Sequence, residues 1–220
     1  MSLSPEAFVA ELDAQNNSAL DRIAKGTSSG EPDDALTVSK LLMLALKNEL
    51  EATECAAAWL GTTPEVNVKL ALARQAGDEA KHYRMIQARL AELGVDTAKH
   101  DPLAAGRSPL LAWLLALEGT VARVAAGQFT REALAVVRNA EFVKYCRATG
   151  DEATARMYEE TIQPDEKHHH ELGRRLLLEL ATNDEAQASA REASRKVLTM
   201  AEELQEIARL KGGLSRAPGC

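Results

Sequence analysis

Asp78-Glu79-Ala80-Lys81-His82 and Asp165-Glu166-Lys167-His168-His169 are two copies of one pattern, Asp-Glu-x-x-His, set 87 residues apart. On an α-helix, residues i and i+3 share a face, so each copy directs one carboxylate and one imidazole the same way. The residues around each copy repeat at helical spacing and place that face among Ala, Leu and Ile. Carboxylates in such surroundings are costly unless charge or hydrogen bonding compensates them. The two copies therefore predict two helices that face one another.

The rest of the chain supplies two more helices. Ser4-Pro5 opens a first segment that is predicted to reach about Lys25 and stop at Gly26. Residues 26–34 read as a linker. Helix A is predicted from about Ala35 to Leu60 with a stop at Gly61. Helix B is capped by Thr63, with Pro64 at its first position, and runs to about Leu93. Residues 94–108 carry no periodic pattern. Ser108-Pro109 opens helix C, which continues to Thr149; Gly150-Asp151 turns into helix D, ending near Ala181. Asn183-Asp184 opens a last amphipathic helix to about Lys211, followed by a tail expected to fray. A with B and C with D make two antiparallel hairpins, and the 15-residue gap between them suits one long crossover. The expected organisation is all-α: an N-terminal helix and linker (1–34), a four-helix bundle (35–182), and a C-terminal helix and tail (183–220).

Acids on the apolar stripes are few. Helix A offers Glu49 between Leu46 and Ala52, with Glu51 and Glu54 off the stripe. Helix B offers Glu79 and His82, helix C Glu132, and helix D Glu166 and His169. Counting from the turns sets their depth. Glu132 lies 18 residues before Gly150 and Glu166 lies 16 after it, so they meet at one level. Glu49 lies 12 before Gly61 and Glu79 lies 16 after Thr63, a mismatch of roughly 6 Å at 1.5 Å per residue. Glu141 points to the opposite side from Glu132, and Glu118 sits roughly 21 Å along the helix from it. Four carboxylates and two imidazoles suit a pair of iron or manganese ions, whose charge balances the acids. Without metal the acids would repel, and some would stay protonated.

One Glu from each of two helices and a Glu-x-x-His from each of the other two resembles the ferritin-like di-metal carboxylate proteins, a pattern described for that group in general. The resemblance covers residues 36–182. It implies a ferritin-like four-helix bundle in which Glu79 and Glu166 bridge two metals, Glu49 and Glu132 are terminal ligands, and His82 and His169 each hold one metal. It also implies that Asp78 and Asp165 lie behind the ligands, each orienting the histidine of the opposite motif. The cofactor implied is two Fe ions, with Mn or mixed Fe/Mn as alternatives. Two local departures stand out: Pro164 predicts a kink in helix D, and Gly77 a looser helix B.

The resemblance implies a redox enzyme that activates dioxygen or peroxide, with an external electron donor for hydroxylase chemistry. A ferroxidase or iron-storage cage is the second expectation; Ala80 stands where a bacterioferritin-like haem ligand would be expected. A metal-free helical scaffold is the third. A homodimer is the expected assembly. The net charge of −7 argues against a DNA partner and leaves an RNA substrate open. Cys55, Cys146 and Cys220 form no C-x-x-C, the longest apolar run (109–117) is too short for a bilayer, and no signal peptide is read, so a cytoplasmic location without membrane contact is expected. Tyr83, Tyr145 and Tyr158 read as packing residues, with Tyr83 the one radical candidate, and His168 and His170 as surface or rim positions.

Overall fold

A computed structural model describes residues 2–28, 36–210 and 217–219. All regular structure among the described residues is helical. The order is α1 (Pro5–Ser28), α2 (Val38–Thr62), α3 (Val66–Glu92), α4 (Pro109–Leu115), α5 (Thr120–Val124), α6 (Glu132–Ala148), α7 (Glu152–Met157), α8 (Gln163–Leu180) and α9 (Asp184–Leu210). Two π-helical stretches, Ala125–Arg131 and Tyr158–Ile162, join α5 to α6 and α7 to α8.

Helices α2 and α3 pack along their length as a hairpin, and α6 packs on α7 and α8 as another. The faces meet where α3 contacts α8. This bundle is compatible with the ferritin-like arrangement. Helices α1 and α9 pack on each other and against α5, α6, α8 and the first π stretch, so both terminal helices cover one side. On α9, Val197 and Ala201 are buried, whereas Leu204 and Ile207 of the expected apolar face are exposed.

Several element boundaries differ from expectation, each for a local reason. Helix α2 runs through Gly61 to Thr62. Thr63 does not cap the next helix; its hydroxyl donates to the Trp59 carbonyl and closes α2, and Glu65 stands at the start of α3. Helix C is not continuous: the chain turns at residues 116–119 before α5 begins. Gly77 leaves α3 unbroken, and its position faces open space. Pro164 has no N–H to give to Glu160, and that residue lies inside the π stretch Tyr158–Ile162, where the backbone has already left the α pattern. The expected distortion of helix D at Pro164 takes the form of this π stretch, after which the helix continues as α8. Helix α1 extends past Gly26 into the expected linker, whose remainder, 29–34, lies outside the described residues.

The connection between the hairpins is irregular, as its sequence suggests, and it is tied down. The Asp96 and Asp101 side chains accept from the Ala98 and Leu103 amides, and Lys47 Nζ donates to the Gly106 carbonyl. Glu51, read as off the apolar stripe of α2, is nonetheless buried: Ser108 donates to it through both its amide (2.7 Å) and its hydroxyl (2.5 Å). That carboxylate anchors the start of α4.

The core has two main apolar clusters along the bundle axis. One holds Leu72, Trp59, Phe129 and Leu176. The other holds Leu46, Ile86, Phe142 and Ile162. The glutamates lie on the same helix stripes, between the residues of the two clusters: Glu49 follows Leu46 on α2, Glu79 sits between Leu72 and Ile86 on α3, Glu132 between Phe129 and Phe142, and Glu166 between Ile162 and Leu176. The sequence thus places a polar layer between two greasy ones. Among the described residues, no helix is long and apolar enough to cross a membrane.

Candidate metal centre

The polar layer contains all six side chains singled out in the sequence. Glu49, Glu79, His82, Glu132, Glu166 and His169 are each at most 3 % exposed. They form two overlapping groups. In one, ligand atoms of Glu49, Glu79, His82 and Glu166 all lie within 4.8 Å of one another; in the other, those of Glu79, Glu132, Glu166 and His169 do. Glu79 and Glu166 belong to both groups.

Both imidazoles turn Nδ1 inward. His82 Nδ1 lies 3.4 Å from Glu49, 3.3 Å from Glu79 and 3.8 Å from Glu166. His169 Nδ1 lies 3.6 Å from Glu166 and 3.7 Å from both Glu79 and Glu132. These distances allow attraction between charges, yet His82 Nδ1, His169 Nδ1 and Glu166 Oε2 make no aligned hydrogen bond. Three buried, unpartnered ligand atoms distributed over the two groups are what a metal-binding site needs, and they are costly otherwise.

The outer nitrogens are held from behind. His82 Nε2 lies 3.1 Å from Asp165 Oδ2, and His169 Nε2 lies 3.1 Å from Asp78 Oδ2. Each acid belongs to the motif of the other histidine. Lys81 Nζ donates to Asp165 at 2.5 Å and Arg74 Nε to Asp78 at 3.3 Å. An acceptor at Nε2 keeps a hydrogen there, so that the proton a metal would displace is the one on Nδ1, whose lone pair then faces the interior.

Electrostatics describe a cluster that balances itself only by keeping protons. Burial raises Glu49 to about 7, against the pull of His82, and pushes Glu166 well above the ordinary range, helped by Glu79 and Glu132. Burial opposes the charge on His82 and His169 too, but the surrounding carboxylates outweigh it and carry them up to about 11 and about 9. Glu132 goes the other way, to about 2: contacts with Glu166, His169 and Arg131 outweigh its burial. In the metal-free protein the imidazoles hold protons that a metal would replace.

Several members of this layer carry no signal in the motif. Gln75, one turn before Glu79, donates to Glu132 at 2.6 Å and approaches Glu79 at 3.4 Å. Its i−4 spacing from Glu79 was the available clue. Arg131, buried beside Glu132, lines the narrow cavity at the cluster together with Gly219. Tyr158 is fully buried, with a hydroxyl that has no partner, and its acidity is suppressed by burial and by Glu49. Tyr83, the expected radical candidate, is only half-buried and packs on the Leu46 cluster. His170, expected at the surface or rim, is half-buried; its ring stacks on Phe129 at 5.0 Å, and its Nδ1 lies 2.7 Å from the Phe129 carbonyl. Cys55 and Cys146 are buried free thiols, and Cys220 lies outside the described residues.

Fold and site together define an all-helical bundle with a buried glutamate–histidine cluster able to hold metal. No protein-family model, no curated protein and no solved structure matches the chain.

Proposed function

We propose that this chain is a ferritin-like di-metal carboxylate oxidoreductase that activates dioxygen or peroxide at two iron ions, or at two manganese ions or one of each. The observation that carries the reading is the pair of four-residue groups sharing Glu79 and Glu166, with three unpartnered ligand atoms turned inward. Glu49 and His82 complete one position, and Glu132 and His169 the other. Held there, two such ions would supply the redox equivalents for reducing dioxygen or peroxide. The chain's own residues do the rest. Asp78 and Asp165 fix the imidazole tautomers, Gln75 holds Glu132, and the apolar clusters above and below keep bulk water from the acids. Electrons for repeated turnover come from an external donor.

Elemental analysis of tag-free protein grown with iron and manganese tests the reading, with Glu79→Ala/Glu166→Ala as the control. About two metal ions per chain are expected, lost in the double variant. The iron(II)-loaded chain should consume dioxygen in an oxygen-electrode cell at a rate the double variant lacks. A chain that stays empty after reconstitution sinks the proposal and leaves a metal-free scaffold. A metal-loaded chain that assembles into a very large particle, mineralising added iron, replaces the oxidoreductase by a storage protein.

A further inference from the structure

The expected fraying does not describe residues 217–219. Pro218 and Gly219 are buried, and Ala217 packs against the Leu46 cluster. Asn48 Nδ2, on α2 next to Glu49, donates to the Pro218 carbonyl at 2.9 Å. The Gly219 amide donates to Asn139 Oδ1, on α6, at 2.8 Å. Gly219 itself lines the cavity formed by Glu49, Glu79, Glu132 and Glu166. The segment is therefore wedged between the two helices that carry Glu49 and Glu132, directly over the cluster.

What holds it is specific for backbone. Asn48 and Asn139 together read one peptide carbonyl and one peptide N–H, and neither contact uses a side chain of the segment. Asn139 is fully buried; its Oδ1 accepts from Gly219 while its Nδ2 has no partner, so the slot retains an amide donor that the segment does not use. Gly219 has φ +76°, a conformation that glycine takes without strain and other residues do not. A buried asparagine with an unused amide would be a poor choice for a surface that merely packs. It suits a surface that receives a peptide.

We propose that Asn48 and Asn139 form a peptide-backbone slot at the mouth of the carboxylate cluster, and that Ala217–Gly219 is its intramolecular occupant, a removable plug that closes the cluster to solutes. The consequence for metal entry rests on the function proposed above; the slot and the plug do not.

The test is built to keep the two apart. A reporter thiol is placed on the cavity wall as Ala52→Cys or, separately, Ala135→Cys, both residues lining the cavity. Cys220 is changed to Ser throughout. Labelling of metal-free protein by methyl methanethiosulfonate is followed by mass spectrometry, which resolves the reporter from Cys55 and Cys146. Deleting residues 212–220 should accelerate reporter labelling about tenfold or more, and Asn139→Ala or Asn48→Ala in the full chain should do so in part, as expected for loss of a buried hydrogen bond. A synthetic peptide of sequence 212–220, with Ser for Cys220, should restore protection to the deletion protein and bind it in calorimetry, about tenfold more weakly after Asn139→Ala. Equal labelling with and without the segment in both reporters, or peptide binding indifferent to both asparagines, overturns the plug. Cobalt(II) uptake by the same proteins is read separately. A chain that takes up no cobalt with or without the segment defeats the metal reading, while the labelling still decides the plug.

Discussion

His82 and Asp165 belong to different copies of the repeated motif, yet His82 Nε2 lies 3.1 Å from the Asp165 carboxylate. The relation is reciprocal, since His169 meets Asp78 at the same distance. Each motif therefore supplies an inward Glu and His and an outward Asp that steadies its counterpart's imidazole. This crossing makes the two helices interdependent. Losing either acid frees one ring to rotate and to change tautomer. Asp165→Ala and Asp78→Ala should each weaken metal binding by about 10–100-fold, with the fold retained. Competition against a metal-sensitive chelator dye gives the affinity, and circular dichroism checks the fold. Unchanged affinity in both variants would show that the rings are positioned by packing alone.

Protonation of the empty cluster gives its stability a characteristic slope with pH. Glu49 is raised to about 7 and Glu166 is raised well above the usual range, so above pH 4.5 the folded state binds protons that the unfolded state has lost. His169 and His82, raised to about 9 and about 11, extend the same imbalance upward from 6.5. Where the folded state holds more protons, stability falls as pH rises. The histidine contribution is complete below 6.5 and is lost as pH climbs through 9 and towards 11. Glu132, held at about 2, acts oppositely, but only between about 2 and 4.5. Chelator-treated protein should therefore have a higher urea midpoint at pH 5 than at pH 9. Metal loading should reverse that order, because binding displaces the same protons. A metal-free midpoint that rises from pH 5 to pH 9 would contradict the proton inventory of the cluster.

Gly173 lies where α8 passes against the backbone of the π stretch before Glu132. A Cβ at this position would lie 2.6 Å from the Gln128 carbonyl carbon and 2.7 Å from the Phe129 nitrogen, both backbone atoms of the π stretch before Glu132. Backbone cannot swing aside as a side chain can. Gly173→Ala should cost about 1–3 kcal/mol through overpacking, despite the better helix propensity of alanine. It should also displace Glu132 from His169, so metal affinity should fall with the thermal midpoint. A thermal midpoint at or above that of the parent chain would show that the helices part at no cost.

The bundle and the cluster were legible in the sequence because both follow from helical periodicity. Glu49, Glu79, Glu132 and Glu166 are rare charges on stripes of Ala and Leu, and counting from the turns puts Glu132 level with Glu166 and Glu49 within about one helical turn of Glu79. Boundaries were less legible. Thr63-Pro64 has the form of a helix start, but the Thr63 hydroxyl finds the Trp59 carbonyl first. The π stretch before Glu132 leaves no local mark, since one extra residue in a helix shifts the register without changing composition; of the one at Tyr158–Ile162, only Pro164 gives a sign. The burial of Glu51, which lies off the apolar stripe, has no sequence signal because its partner, Ser108, comes from an irregular connection 57 residues away. The placement of Pro218 and Gly219 is of the same kind: contacts between distant residues of ordinary composition have no periodicity to betray them.

Tyr158 offers the last test, because it is the largest fully buried side chain and its hydroxyl has no partner. A buried hydroxyl without a hydrogen bond costs roughly 1–3 kcal/mol relative to water on the protein mutational scale. Removing it should return part of that, while the ring keeps its edge-on contact with Phe142 at 4.9 Å. Tyr158→Phe in metal-free protein should therefore raise the urea midpoint, whereas Tyr83→Phe, half-buried on the same cluster, should leave it nearly unchanged. A chain without the Tyr158 hydroxyl that unfolds more easily would mean that the group does bond in solution. The acids whose charges suppress its ionisation, Glu49 foremost, would then be its nearest candidates for a water-mediated partner. Repeating the comparison on metal-loaded protein separates that case: a partner within the cluster is lost when the acids bind metal, and the stability difference should then change sign.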